Sequence, residues 1–242
     1  MNSVVVGITL RQLLSRRRIL LLLLLGVVMV LVALALRLGL DDVYWDLYTS
    51  RLLDNFGLAT LMPLVALLFG TSTIGSELDE GTAVYILAKP ISRSSILFAK
   101  LLVAIACSVA VTCIPMAFAG LVAGGDAALV IGFTVAGAFG SVVYCALFVF
   151  LSLVTGRALV IGLGYVLIWE GVLAGLFAGS RTFSVRQYSL SVADAVAEAS
   201  AEVLEAPLPL TTALVMAGVV TVVATVLAWR RLSRVEIAGE TA

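Results

Sequence analysis

Apolar positions along the chain gather into six long runs separated by short polar stretches. The runs cover residues 19–36, 56–74, 96–122, 127–154, 158–178 and 210–229. An α-helix needs about 20 apolar residues to cross the hydrocarbon of a bilayer. The pattern therefore predicts an all-α polytopic membrane protein with six transmembrane helices. Pro63 falls inside the second run and predicts a kink there, and Pro115 lies inside the third. The first run follows Arg16-Arg17-Arg18 and contains Ala33-Leu34-Ala35, which raises a cleaved signal peptide. Its length, and the five runs behind it, favour an uncleaved first crossing.

The polar stretches set an orientation. Taken alternately from the N-terminus, one set of loops carries eleven Lys and Arg, among them Arg16, Arg17, Arg18, Lys89 and Arg93; the other carries four. The positive-inside rule then puts both termini in the cytoplasm. Before the first run, Val6, Leu10, Leu13 and Leu14 share one helical face, with Thr9, Gln12 and Arg16 on another. That spacing predicts an interfacial N-terminal helix. Tyr44, Trp45, Leu47 and Tyr48 suggest an aromatic anchor after the first crossing. The outer loop, 179–209, holds an Ala- and Glu-rich helical stretch at 192–205, stopped by Pro207 and Pro209. It is read as a solvated connector, or as a gate or partner contact.

Composition removes whole classes of function. Of 242 residues, 62% are hydrophobic and 12% charged, the latter about half the roughly 25% of soluble domains. A soluble enzyme, a nucleic-acid binder and a disordered chain are excluded. There is no His. Cys107, Cys113 and Cys145 lie in apolar runs and read as packed hydrophobes, with no metal set. No Gly-rich loop with Lys and Ser/Thr is present, so the chain carries no ATP-binding P-loop.

The segment between the second and third runs carries the most information. Glu77, Asp79 and Glu80 mark the exit from the bilayer. Gly81 breaks the helix, Thr82 can cap a new one, and Pro90 stops it. Residues 83–88 then form a short apolar helix. It either folds back on the bilayer or docks in a groove of a cytoplasmic partner. Ser92 can cap the third crossing, and Lys100 can snorkel from its first turns.

The order Glu77, Gly81-Thr82, Pro90, Ser92-Arg93 and Lys100 resembles the permease subunits of ABC-2-type transporters. Six crossings, cytoplasmic termini and a long outer loop agree over nearly the whole chain, treated as one transmembrane domain, 1–242. One departure is Leu78, where many relatives carry Arg. The resemblance implies a permease, most often an exporter, in a prokaryotic plasma membrane. It implies two copies of a cytoplasmic ABC ATPase, with ATP and Mg held by that partner, and a second permease half, identical or paralogous. Glu77, Asp79, Glu80, Gly81, Thr82, Pro90, Ser92, Arg93 and Lys100 would form the ATPase-coupling loop within 76–95. The 83–88 helix would be pushed when the ATPases close.

Glu170 is the one acid inside an apolar run, beside Trp169 and near Tyr165. An intramembrane charge is costly, so it is paired, protonated or faces a wet cavity. Tyr144, Tyr165 and Arg157 are conceivable partners. Glu170, Trp169 and Tyr165 are read as a translocation path or as a structural hydrogen bond. The alternative functions are an intramembrane enzyme or a proton-coupled carrier using Glu170. Small residues at spacing four, Gly132-Ala136-Gly140 and Gly171-Gly175-Gly179, allow close helix contact, including between subunits.

Overall fold

The computed structural model describes Gly7 and residues 16–39, 45–79, 92–174, 179–198 and 202–233, with backbone only at 16–19 and 74–79. The described residues contain helices and turns and no strand. In chain order the helices are α1 (Arg16–Gly39), α2 (Trp45–Leu52), α3 (Met62–Asp79), α4 (Arg93–Ala123), α5 (Ala127–Val154), α6 (Ala158–Gly164), α7 (Val185–Ala197) and α8 (Leu210–Ser233). Two π-helical segments also lie among the described residues. Leu53–Leu61 joins α2 to α3, and Tyr165–Leu173 prolongs α6. Five helices among the described residues are long and apolar enough to cross a membrane: Leu20–Gly39, Trp45–Thr73, Arg93–Ala123, Ala127–Val154 and Leu210–Ser233.

The predicted second crossing starts earlier than its apolar run. α2, the π segment and α3 form one continuous rod, because Leu52 and Met62 both keep helical dihedrals. The Met62 N–H bonds the Gly57 carbonyl, five residues back. Pro63 follows directly and has no N–H to offer, so the widened register absorbs the missing bond. Trp45, expected in a loose aromatic anchor, opens α2 and lies under the Arg37 guanidinium, 4.3 Å from its ring centre.

α5 is the hub. Its buried face receives α4 on one side, α3 on another, and α7 along its first half. α4 crosses α1 where Gly26 meets Pro115; a Cβ on Gly26 would stand 2.7 Å from the proline ring. α4 ends at Gly124, whose φ of 85° closes the helix in the left-handed region. Asp126 then caps α5 by accepting the Ala128 N–H at 3.0 Å, and its own N–H is held by Asp46 of α2 at 2.7 Å.

The run 158–178 predicts the fifth crossing, and the structure describes part of it. α6 and its π segment form an apolar helix over Ala158–Leu173, Ala174 is still helical, and residues 175–178 lie outside the described ones. A 3-10 turn, Ser180–Phe183, then leads into α7. α7 runs antiparallel to α5: Ser189 faces Gly140, and Ala193 and Ala197 face Gly132. Its start therefore lies deep in the bundle and its end near the start of α5. The 192–205 helix is corrected: α7 is helical from 185 and ends at Ala197, where Glu198 takes φ 47°. The interfacial N-terminal helix and the 83–88 helix lie outside the described residues, Gly7 excepted.

Candidate functional site

A helix that begins inside a bundle presents N–H groups with no intrahelical acceptor, and no water reaches them there. The start of α7 is supplied with two acceptors. Ser184 occupies the N-cap position and its Oγ accepts the Gln187 N–H at 3.3 Å. Glu170, only 5% exposed, takes the Val185 N–H on Oε1 at 2.8 Å and the Ser184 hydroxyl on Oε2 at 2.5 Å. Tyr165 adds a third donor, its hydroxyl 3.2 Å from Oε1. The carboxyl group also faces the positive end of the α7 dipole. Glu170 thus welds the π segment to the helix that follows it.

Its neighbours hold the same joint. Trp169 Nε1 donates to the Phe183 carbonyl at 3.2 Å, Ser180 Oγ to Leu173 at 2.8 Å, and the Tyr188 hydroxyl to Thr182 at 2.5 Å. The first π segment contributes from the other side. Arg186 binds Asp54 through Nε at 3.1 Å and Nη2 at 2.8 Å, and reaches Asn55 at 3.3 Å. Both π segments therefore deliver anchoring groups to one helix start. Of the partners expected for Glu170, Tyr165 bonds it. Tyr144, buried and stacked on Phe148, lies beside Glu170 and interacts with its carboxyl, while Arg157 is exposed at the start of α6.

The small residues of α5 seat α7. A Cβ on Gly132 would stand 2.8 Å from the Ala193 carbonyl oxygen, and one on Gly140 would run into Ser189 and Met62. The Gly132-Ala136-Gly140 stripe is thus used within the chain. Gly171 meets only the Val166 carbonyl, in ordinary contact, and Gly179 has nothing near.

At the opposite end, cations meet helix carbonyls. Lys100 is 1% exposed, and its Nζ donates to the Thr73 carbonyl of α3 at 2.9 Å. It does not snorkel; it ties α4 to α3. Thr71, Ser72 and Thr73 each turn their hydroxyls back onto carbonyls four residues earlier. Arg93, the first residue of α4, donates to the Leu232 carbonyl at 2.8 Å and to Ser233 at 3.3 Å.

The profile of a family described as ABC-2 family transporter protein matches residues 12–179. The chain belongs to this family. A comparison with curated proteins finds no match. The match runs from ahead of α1 to the end of the fifth apolar run, so α7 and α8 lie beyond it. The ABC-2 assignment makes this an integral membrane protein and a transporter permease.

In this permease the residues expected at the coupling loop are distributed as follows. Glu77 and Asp79 lie in the last turns of α3, described by backbone alone. Glu80, Gly81, Thr82 and Pro90 lie outside the described residues. Ser92 sits at the N-cap of α4 with extended dihedrals; its carbonyl accepts Ile96, but its side chain makes no cap bond. Sequence reasoning overlooked Ser184, Asp54 and Arg186. One signal was available: Ser184-x-x-Gln187 has capping-box spacing ahead of an apolar stretch. No local pattern pairs Asp54 with Arg186, 132 residues away.

Proposed function

We propose that this ABC-2 permease is the membrane half of an ATP-driven exporter, driven by a separate cytoplasmic ATPase through the loop 76–95. The observation that carries the reading is the Lys100–Thr73 bond. It joins the two helices that flank this loop, so a push delivered there would move α3 and α4 as one lever. In this reading the chain crosses the membrane six times with both termini cytoplasmic, and α6 and α7 share the fifth crossing. Glu77, Asp79, Glu80, Gly81, Thr82, Pro90 and Ser92 shape the docking segment, while Lys100 and Arg93 brace it. Two ATPase copies supply ATP and Mg, and a second permease half, a copy or a paralogue, completes the pathway. Outward transport follows the habit of the family. The two states differ by which face of the paired halves is open, and ATP-driven closure favours one of them.

Glu170, Trp169 and Tyr165 then act on transport by holding the joint under α7. Both Glu170 oxygens are already engaged by donors from this chain, which leaves the enzyme and proton-carrier readings without an observation in their favour.

The test is a mild-detergent pull-down of the tagged chain from its own cells, with mass spectrometry of the captured proteins. A stoichiometric ABC ATPase, lost on Glu77→Lys, is the expected result. A monodisperse chain that brings down no ATPase overturns the proposal.

A further inference from the structure

We infer that Arg93 passes the motion of the coupling loop to α7, with α8 as the rod between them. The inference rests on the coupling role proposed above and assigns it a route. Arg93 grips α8 at the last described residues of that helix, through the carbonyls of Leu232 and Ser233. The contact spans 139 residues of sequence. Both carbonyls accept from one guanidinium nitrogen, Nη1.

α8 is built to transmit. It has 24 residues without proline, about 36 Å at 1.5 Å per residue. One flank is apolar and exposed at Leu214, Val215, Val219, Val222 and Val223; α8 also packs along α5, with the small side chains of Ala217, Ala224 and Ala228 buried, and Arg231 Nε donates to the Leu153 carbonyl at 3.4 Å. Near its far end the chain is fastened to α7. The Ser191 hydroxyl donates to the Leu208 carbonyl at 2.9 Å, and Asp194 accepts the Ala206 N–H at 3.1 Å. Pro207 and Pro209 stiffen the link.

α7 is built to move about one end. Its start is welded at Glu170 and Arg186, while its second half rests on the Gly132 seat by close contact and is tied to the α8 link. A shift of α4 and α8 together would pull that second half and tip α7 about its welded start. The effect at the far face would be to uncover the side of α7 that now lies on α5. Arg93 is thus a positioning residue: it touches no cargo and acts through α8.

The experiment uses the permease co-purified with its ATPase in nanodiscs, with a water-soluble maleimide reaching both faces. Ser189→Cys reports near the pivot, where Ser189 is fully buried, and Ala197→Cys reports at the moving end. The chain with only Cys107, Cys113 and Cys145 sets the background. Trapping the ATPase with ATP and vanadate should raise labelling several-fold over the ADP state, more at 197 than at 189. Arg93→Ala should cancel the rise, and Arg93→Lys should keep part of it. Val219→Pro, which kinks the rod and leaves Arg93 in place, should also cancel it. A rise unchanged in Arg93→Ala overturns the inference, as does flat labelling in the parent complex with its ATPase bound. Failure of any ATPase to co-purify overturns the coupling reading itself and takes the inference with it.

Discussion

At the scale of single residues, Glu170 shows how a costly group is made useful. A carboxylate in hydrocarbon is expensive, but so is a helix start whose N–H groups have no acceptor. Placed together, each satisfies the other. Glu170→Ala would orphan the Val185 N–H and the Ser184 hydroxyl. Hydrogen bonds to a charged group are worth about 1.5–3 kcal/mol each, so a loss of about 3 kcal/mol or more is expected. Glu170→Gln keeps one acceptor and should lose roughly half of that. Thermal unfolding of the purified chain, followed by size exclusion, reads the difference; an Ala variant that melts with the parent refutes the weld. The Asp54–Arg186 pair is a milder case, since each side chain is 22% exposed. A double-mutant cycle with Asp54→Asn and Arg186→Gln should return a coupling of about 1 kcal/mol or less, shrinking in high salt. A coupling that high salt leaves unchanged would contradict a solvent-screened pair.

At the scale of elements, the crossings other than the fifth were legible because their signal is length and apolarity alone. Residues 127–154 were predicted and α5 has those bounds. What α7 rests on was not legible. The run 158–178 holds one acid, Glu170, and nothing local names its partner at Val185. The 192–205 stretch misled as well. Ala and Glu favour a helix in isolation, but α7 takes its register from the face it buries on α5. That dependence can be tested. Gly140→Leu should push α7 off its seat and cost about 1–3 kcal/mol by overpacking. Gly218→Leu, with nothing within 4 Å, should be close to neutral. Limited proteolysis near 198–209 should quicken only in the first; equal rates in both would remove the seat.

At the scale of the whole molecule, the two ends of the bundle are organised differently. One end joins α3, α4 and α8 through cations on carbonyls. The other holds α7 by a buried carboxylate, an ion pair and glycine seats. The coupling proposed above would use this division, with a stiff input and an element beyond it that responds. Glu77→Lys and Gly81→Pro should therefore leave membrane insertion intact yet uncouple ATP hydrolysis from transport. Hydrolysis and transport measured side by side in proteoliposomes check this, and unchanged transport would remove the coupling assignment. What the sequence by itself determined is the membrane class, the approximate crossings, the loop charge bias and the family motif, because each depends on composition or short-range order along one chain. Tertiary structure alone decided that Lys100 is buried on α3, that Arg93 holds the end of α8, and that Glu170 caps α7. The physical reason is that an acceptor or donor in hydrocarbon must be satisfied by whatever lies nearest in space, and nearness across 139 residues is a property of the packed bundle.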